Sequence, residues 1–121
     1  MSSQTAPWPT EIRLKKDRRT LVVAFDDGVV ADLSAEMLRV MSPSAEVQGH
    51  SPEQRVLVAG KQNVEIAGID PIGNYAVRLT FNDGHATGLF SWTYLRTLHD
   101  ERDKRWAEYL AELAAKGLPR G

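Results

Sequence analysis

Cysteine is absent from all 121 residues. Disulfides, thiolate zinc sites and cysteine-held iron–sulfur clusters are therefore excluded within the chain, and any metal would need His, Asp, Glu, hydroxyl or carbonyl ligands. An excess of one charge is also absent: 15 basic residues stand against 16 acidic ones, for a net charge of −1. That balance argues against a general nucleic-acid binder, which shows a basic excess on one face. What remains is a local basic group of Arg13, Lys15, Lys16, Arg18 and Arg19. No apolar run approaches the roughly 20 residues needed to span a bilayer. The opening MSSQTAPWPT lacks an apolar stretch behind positive charge, so it does not read as a secretory signal. A soluble, cytoplasmic protein without membrane or nucleic-acid partners is expected. The glycines are scattered singly, so no phosphate-cradling loop is present.

What is present is ordinary for a globular protein, 42% hydrophobic and 26% charged residues, and sufficient for one domain with one core. Residues 1–8 read as a flexible tail, 9–97 as the folded domain and 98–121 as a C-terminal helix. Alternation of apolar residues predicts strands over Glu11–Lys15, Thr20–Phe25, Val29–Leu33, Val64–Ile69, Tyr75–Phe81 and His85–Phe90. Asp26-Asp27-Gly28 and Asn82-Asp83-Gly84 read as hairpin turns, the first of type I′. Pro71 to Asn74 reads as a further turn. Ser34 and Ser91 are placed to cap short helices. From Ser42 to Gln62 the pattern loosens into a long loop, with at most a helical turn at Ser51–Gln54 and a short strand at Arg55–Ala59. Trp106, Tyr109, Leu110, Leu113 and Ala114 recur at helical spacing within Asp100–Lys116, and Gly117 and Pro119 stop that helix. Its apolar face serves either to close the core or to dock on a partner.

Two stretches match each other. AFDDGVVADLSAEMLR, from Ala24, aligns with TFNDGHATGLFSWTYLR, from Thr80. Phe25 falls on Phe81, Gly28 on Gly84, Asp32 on Gly88 and Leu33 on Leu89. One extra residue then brings Leu38-Arg39 onto Leu95-Arg96. Each hairpin has one apolar face and cannot bury it alone. The expected fold is therefore α+β: two β-hairpin-plus-short-helix units sharing one core, followed by the amphipathic helix. The units differ after the turn glycine, where Val29 in the first becomes His85 in the second.

His85 is the residue that local structure does not explain. It serves either as a hydrogen-bonded strut across the long loop or as a metal ligand with His50 and carboxylates such as Glu46 and Asp83. His99, beside charges near a helix end, reads as solvated. Ser42, Ser44 and Ser91 are candidate nucleophiles with His85 and Asp83, but none lies in a nucleophile elbow. Phe81, Phe90, Trp92 and Tyr75 read as core aromatics.

The order of PTEIRL (Pro9–Leu14), FDDG (Phe25–Gly28), Leu38-Arg39, SPSAEV (Ser42–Val47), GNYAV (Gly73–Val77) and DGHATGLFSW (Asp83–Trp92) resembles the domain of unknown function 971. That family is similar to the N-terminal domain of gamma-butyrobetaine hydroxylase. In the hydroxylase the resemblance implies a zinc site of three cysteines and one histidine, ahead of a separate oxygenase domain. Carried over, His85 matches the histidine, and the cysteine positions fall on Ser42, Ser44 and near Val47. Serine hydroxyls are poor zinc ligands beside thiolates, so no cofactor is expected, and zinc or iron is implied by the resemblance alone. The SPSAEV form resembles a stand-alone bacterial branch, in which serine–histidine hydrogen bonds replace the metal. Relatives fused to iron–sulfur carrier ATPases imply an accessory role in cluster or metal handling.

The leading expectation is a non-catalytic binding or protein-interaction module. Its site or clip comprises Ser42, Ser44, Glu46, His50, Asp83, His85 and Trp92. The alternative is a metal-binding accessory protein using His85. A small enzyme is the third reading, and it lacks a catalytic constellation.

Overall fold

The computed structural model describes residues 7–49 and 52–121, with only the backbone of Pro52. Strands β1 (Pro9–Leu14), β2 (Thr20–Phe25) and β3 (Val30–Ser34) form one antiparallel meander, and α1 (Ala35–Val40) follows it. Strands β4 (Ile66–Ile72), β5 (Ala76–Phe81) and β6 (Leu89–Ser91) form a second, followed by α3 (Trp92–Asp100). Between the units lie α2 (Ala45–Gln48) and a 3₁₀ turn (Pro52–Gln54); α4 (Arg102–Ala115) ends the fold. The architecture is thus α+β, two three-stranded sheets with short helices and a C-terminal helix. Among the described residues no helix is long and apolar enough to cross a membrane.

Alternation along the strands gives each sheet one apolar face, and both faces enter one core. Leu21, Val23, Phe25, Ala31 and Leu33 from the first unit meet Ile66, Val77, Leu79, Phe81 and Phe90 from the second. Met37 and Leu38 of α1 and Leu95 and Leu98 of α3 complete it. Ser34 and Ser91 cap their helices through the N–H groups of Met37 and Tyr94, at 3.0 and 3.1 Å.

The duplication extends to individual hydrogen bonds at the start of each unit. Trp8 and Asp26 exchange two hydrogen bonds, and Glu65 and Asn82 exchange the equivalent two. The ladder slips at Pro9/Glu11 in one unit and at Ile66/Gly68 in the other. The helix of each unit also reaches the turn of the other: Arg39 pairs with Asp83, and Arg96 with Asp27, both at 2.8 Å. These crossed pairs join the two halves over a core that neither could bury alone.

Several expectations are corrected. Asp27 is not at positive φ; within the two Asp-Gly turns only Gly28 and Gly84 are, at 90° and 93°. With Gly28 N–H on Phe25 O and Val29 O receiving Phe25 N–H, the first turn is a type I turn with a glycine bulge rather than type I′. The extra residue of the second repeat lies earlier than the alignment suggests. Leu33 pairs with Leu21 and Phe90 with Val77, so Phe90, not Leu89, is the equivalent of Leu33, and Leu89 that of Asp32. The insertion sits in His85–Gly88, which leaves the ladder and shortens the return strand to Leu89–Ser91. β4 runs through Pro71 and Ile72, moving the turn on to Gly73–Tyr75 and leaving Tyr75 54% exposed rather than in the core. Arg55–Ala59 is not a strand, because it packs on the C-terminal helix and bonds Val56 N–H to Val47 O rather than joining a sheet edge.

The C-terminal helix closes the molecule. Trp106, Tyr109 and Leu113 pack on Val40, Met41, Leu57 and Val58, while Leu110 and Ala114 of the same apolar pattern face outward. Gly117 at φ 63° lets Leu118 N–H return to Leu113 O at 2.9 Å, stopping the helix. The chain then runs beside residues 60–62, with Gly60 N–H on Pro119 O and Gln62 N–H on Arg120 O. Arg120 grips the buried Glu36 through two hydrogen bonds, at 2.8 and 3.1 Å. Trp8, read as tail, is already tied to Asp26.

Candidate functional site

The loop after α1 and the inserted segment after the second turn face each other, and their polar side chains converge. Ser42, with no exposed surface, places its Oγ 2.9 Å from His85 Nε2. His85 is 8% exposed, its ring tilted against Phe81. Glu46 Oε2 lies 3.7 Å from His85 Nδ1, which favours the tautomer protonated at Nδ1 with Ser42 O–H donating to Nε2. Beside it runs a closed ring of hydrogen bonds. Glu46 N–H donates to Ser44 Oγ (3.1 Å), Ser44 O–H to Thr87 Oγ1 (2.6 Å), and Thr87 O–H to Glu46 Oε2 (2.9 Å). Ser44 is the N-cap of α2, a helix that the looseness of the surrounding sequence concealed. Gln48 Nε2–H and Tyr94 O–H donate to the carbonyls of Ser42 and Met41, fixing the loop from both ends.

Packing leaves no slack here. A Cβ on Gly88 would lie 2.3 Å from Ser42 Oγ and 3.1 Å from the Phe90 ring. The missing side chain is what lets the inserted segment close on the serine.

Electrostatics keep the imidazole neutral. Burial lowers the His85 pKa from 6.5, and Arg39 adds to the lowering, against weaker opposition from Glu46 and Asp83. Asp83 serves the cluster differently from expectation. Its Oδ1 accepts the His85 backbone N–H at 3.0 Å, while its Oδ2 faces Arg39 and Lys61 at 2.8 and 2.6 Å. Burial pushes its carboxyl up, but the bonds from Lys61, the His85 N–H and Arg39 outweigh that and bring it from 3.8 to about 2. A carboxyl lowered on folding contributes stability above its unfolded pKa and loses it as pH falls through the folded value. Asp83→Asn is therefore expected to cost about 1–2 kcal/mol near neutral pH, after allowance for solvent screening. Urea unfolding at about pH 7 and about pH 3 should show the gap to the parent shrinking on acidification; an unchanged gap would count against the charge as its cause.

Of the residues read from sequence, Ser42, Ser44, Glu46 and His85 come together, and Val47 is buried in α2 beside them. Trp92 does not join them: its indole donates to Asn74 O at 2.8 Å and its ring meets Trp8. His50 lies outside the described residues, as does Ser51. His99 is half-buried rather than solvated, and its Nδ1 has no hydrogen-bond partner among the described residues. Thr87, Gly88, Arg39 and Lys61 were missed. Gly88 alone carried a signal, as a glycine in an expected strand.

The donor set does not fit zinc. Among the described residues one imidazole is present there, its Nε2 engaged by a neutral hydroxyl, and tetrahedral zinc favours thiolates, imidazoles and carboxylates. Among the described residues no group of three or more His, Asp or Glu side chains converges.

Fold and cluster together define a class: a duplicated α+β domain whose second unit carries an inserted polar clip. Residues 12–96 match the family model described as gamma-butyrobetaine hydroxylase-like, N-terminal, and the chain belongs to that family. A protein solved by solution NMR is 50% identical, with TM-score 0.80, the match covering 94% of this chain and 90% of that one. A second NMR structure is 48% identical, with TM-score 0.81, covering 99% of this chain and 90% of that one. A crystal structure of a DUF971-family protein of unknown function from Acidithiobacillus ferrooxidans ATCC 23270 is 41% identical. Its TM-score is 0.63, and the match covers 75% of this chain and 91% of that one. No curated protein matches.

Proposed function

We propose that the chain is a non-catalytic protein-interaction module, with the Ser42–His85 cluster serving as an internal clip. The observation that carries this reading is the burial of Ser42. In atom order, Ser42, His85 and Glu46 resemble a serine–histidine–carboxylate triad, whose serine must reach a substrate carbonyl. Ser42 has no exposed surface, lies under Gly88 and accepts the Ser44 N–H at 3.3 Å. A buried hydroxyl hydrogen-bonded on two sides holds a loop and meets no substrate. The same engagement of Nε2 supports a protein that carries no resident metal. The family resemblance makes an iron–sulfur carrier ATPase the first partner to examine.

Untagged protein incubated with a fluorophosphonate probe is expected to remain unlabelled at Ser42, and to carry well under one equivalent of zinc or iron by elemental analysis. Labelling at Ser42 would establish a nucleophile and overturn the non-catalytic reading. A stoichiometric metal lost in His85→Ala would instead support the metal-binding accessory role.

A further inference from the structure

A single residue, Glu101, joins α3 to α4. Its φ and ψ, −107° and 15°, stand off the helical values of about −63° and −42°. The backbone bonds on either side of it are nevertheless helical. Glu101 N–H donates to Thr97 O and Arg105 N–H to Glu101 O, both at 2.9 Å, the four-residue spacing of an α-helix. Residues 100–105 contain no Gly, Pro or β-branched side chain, so nothing in them breaks a helix. Glu101 also pairs with Arg105 at 2.9 Å, in the order that supports one. The bend is therefore imposed by what α4 packs on, not by the local sequence.

That packing is separable from the rest of the fold. The shared core takes its buried residues from Leu21 to Leu98, and α4 adds only the half-buried Trp106 at its edge. The family match likewise ends at residue 96, before α4. α4 and the tail after it close a second cluster with contacts of their own. Tyr109 and Leu113 pack on Val40, and Tyr109 O–H donates to Val58 O at 2.7 Å. Glu112 pairs with Arg55, Arg120 with Glu36, and the tail carbonyls accept from Gly60 and Gln62. Each of these joins a residue after Glu101 to one before it, so the α4 of another molecule of the same sequence can make every one unchanged.

We propose that the partner of this face is a second copy of the chain: two copies exchange residues 102–121, and α3 and α4 straighten into one helix in each. Exchange keeps the closing contacts and relieves the bend, and a short, tense link is the usual setting for it. The cleft of about 580 Å³ between the body and α4 then becomes a two-chain site. Val40, Met41 and Tyr94 come from one copy and Arg105, Tyr109 and Glu112 from the other. An unrelated amphipathic helix fits less well, because it would have to set a carboxylate opposite Arg55 and a cation opposite the buried Glu36.

The absence of native cysteine allows a direct test. A Cβ on Gly121 would lie 3.3 Å from Gln62 Cβ, so Gln62→Cys and Gly121→Cys stand within disulfide reach of each other. Full-length chains carrying one substitution each are mixed at about millimolar concentration, held below the unfolding transition and oxidised. Bridges between unlike chains are expected to exceed those between like chains well beyond random pairing. Inserting Gly-Ser-Gly after Glu101 should lower the unlike product about tenfold, because it relaxes the link and glycine disfavours the continuous helix. In sedimentation equilibrium the unsubstituted chain should rise with concentration from 13.5 kDa toward twice that mass, and the insertion variant should not. A constant monomer mass, unlike bridges no commoner than like ones, or a dimer indifferent to the insertion would each overturn the proposal. None of these readouts depends on Ser42 labelling, so the exchange and the non-catalytic reading fail separately.

Discussion

Gly88→Ala is expected to destabilise the protein by about 1–3 kcal/mol, the range for overpacking a closed interior. The backbone at Gly88 needs no special φ, so the cost arises from contact rather than dihedral strain. The new Cβ would meet Ser42 Oγ at 2.3 Å, well inside any tolerable approach. Ser42 cannot swing away cheaply, because its oxygen is bonded to His85 and the Ser44 N–H within a fully buried site. Either the inserted segment retreats or the Ser42–His85 bond breaks, stranding a buried imidazole nitrogen. Ser42→Ala alone should cost about 1–2 kcal/mol for the lost bond. The double variant should be clearly more stable than the two costs summed, because removing Oγ frees the space that the added methyl would take. Urea unfolding of the four proteins measures this coupling. Strict additivity would show that Gly88 and Ser42 do not meet as described.

Arg120→Ala should cost about 2 kcal/mol and loosen the C-terminal helix. Glu36 is buried, and the Arg120 guanidinium meets its carboxylate through two hydrogen bonds. Removing the cation leaves a carboxylate inside the protein without its counter-charge, the costly way of breaking such a pair. The arginine is partly exposed, so the loss should stay below the roughly 3–5 kcal/mol of a fully buried pair. Its guanidinium also lies over Trp106, 5.5 Å from the ring centroid, so the fluorescence of that indole should change with the substitution. Replacing both partners, Glu36→Leu with Arg120→Leu, should recover part of the stability lost by Arg120→Leu alone. Denaturant midpoints decide the matter: equal losses would mean that the arginine acts through packing rather than through the Glu36 charge.

Both effects arise from contacts between residues far apart in the chain, and this divides what was legible beforehand. Ser34 and Ser91 announced their helices because a cap acts within three residues. The strands announced themselves through alternation, and the duplicated Phe–x–Asp–Gly turns through glycines that do sit at positive φ. The errors cluster where a local pattern meets a tertiary demand. Tyr75 kept the alternation of a core strand, yet β4 extended past Pro71 and carried the turn onto it. Leu110 and Ala114 kept the helical spacing of a core face, yet α4 buries only one side against Val40 and Val58. In the second repeat, sequence alignment put the inserted residue after Leu89. Burial of Phe90 and exposure of Leu89 place it before, in the segment that holds His85 and Gly88.

By itself the sequence determined the composition of the parts: two meander-and-helix units, a closing helix, no thiolate, and one histidine without a local purpose. These follow from short-range rules, because caps, turns and periodicity act within one or two turns of chain. Only the tertiary structure decided how the parts engage. It crossed Arg39 with Asp83 and Arg96 with Asp27, sealed Ser42 against His85 beneath a bare glycine, and clasped Glu36 with Arg120. Those pairings span more than 40 residues each, and distances across a folded core are set by packing rather than by spacing along the chain.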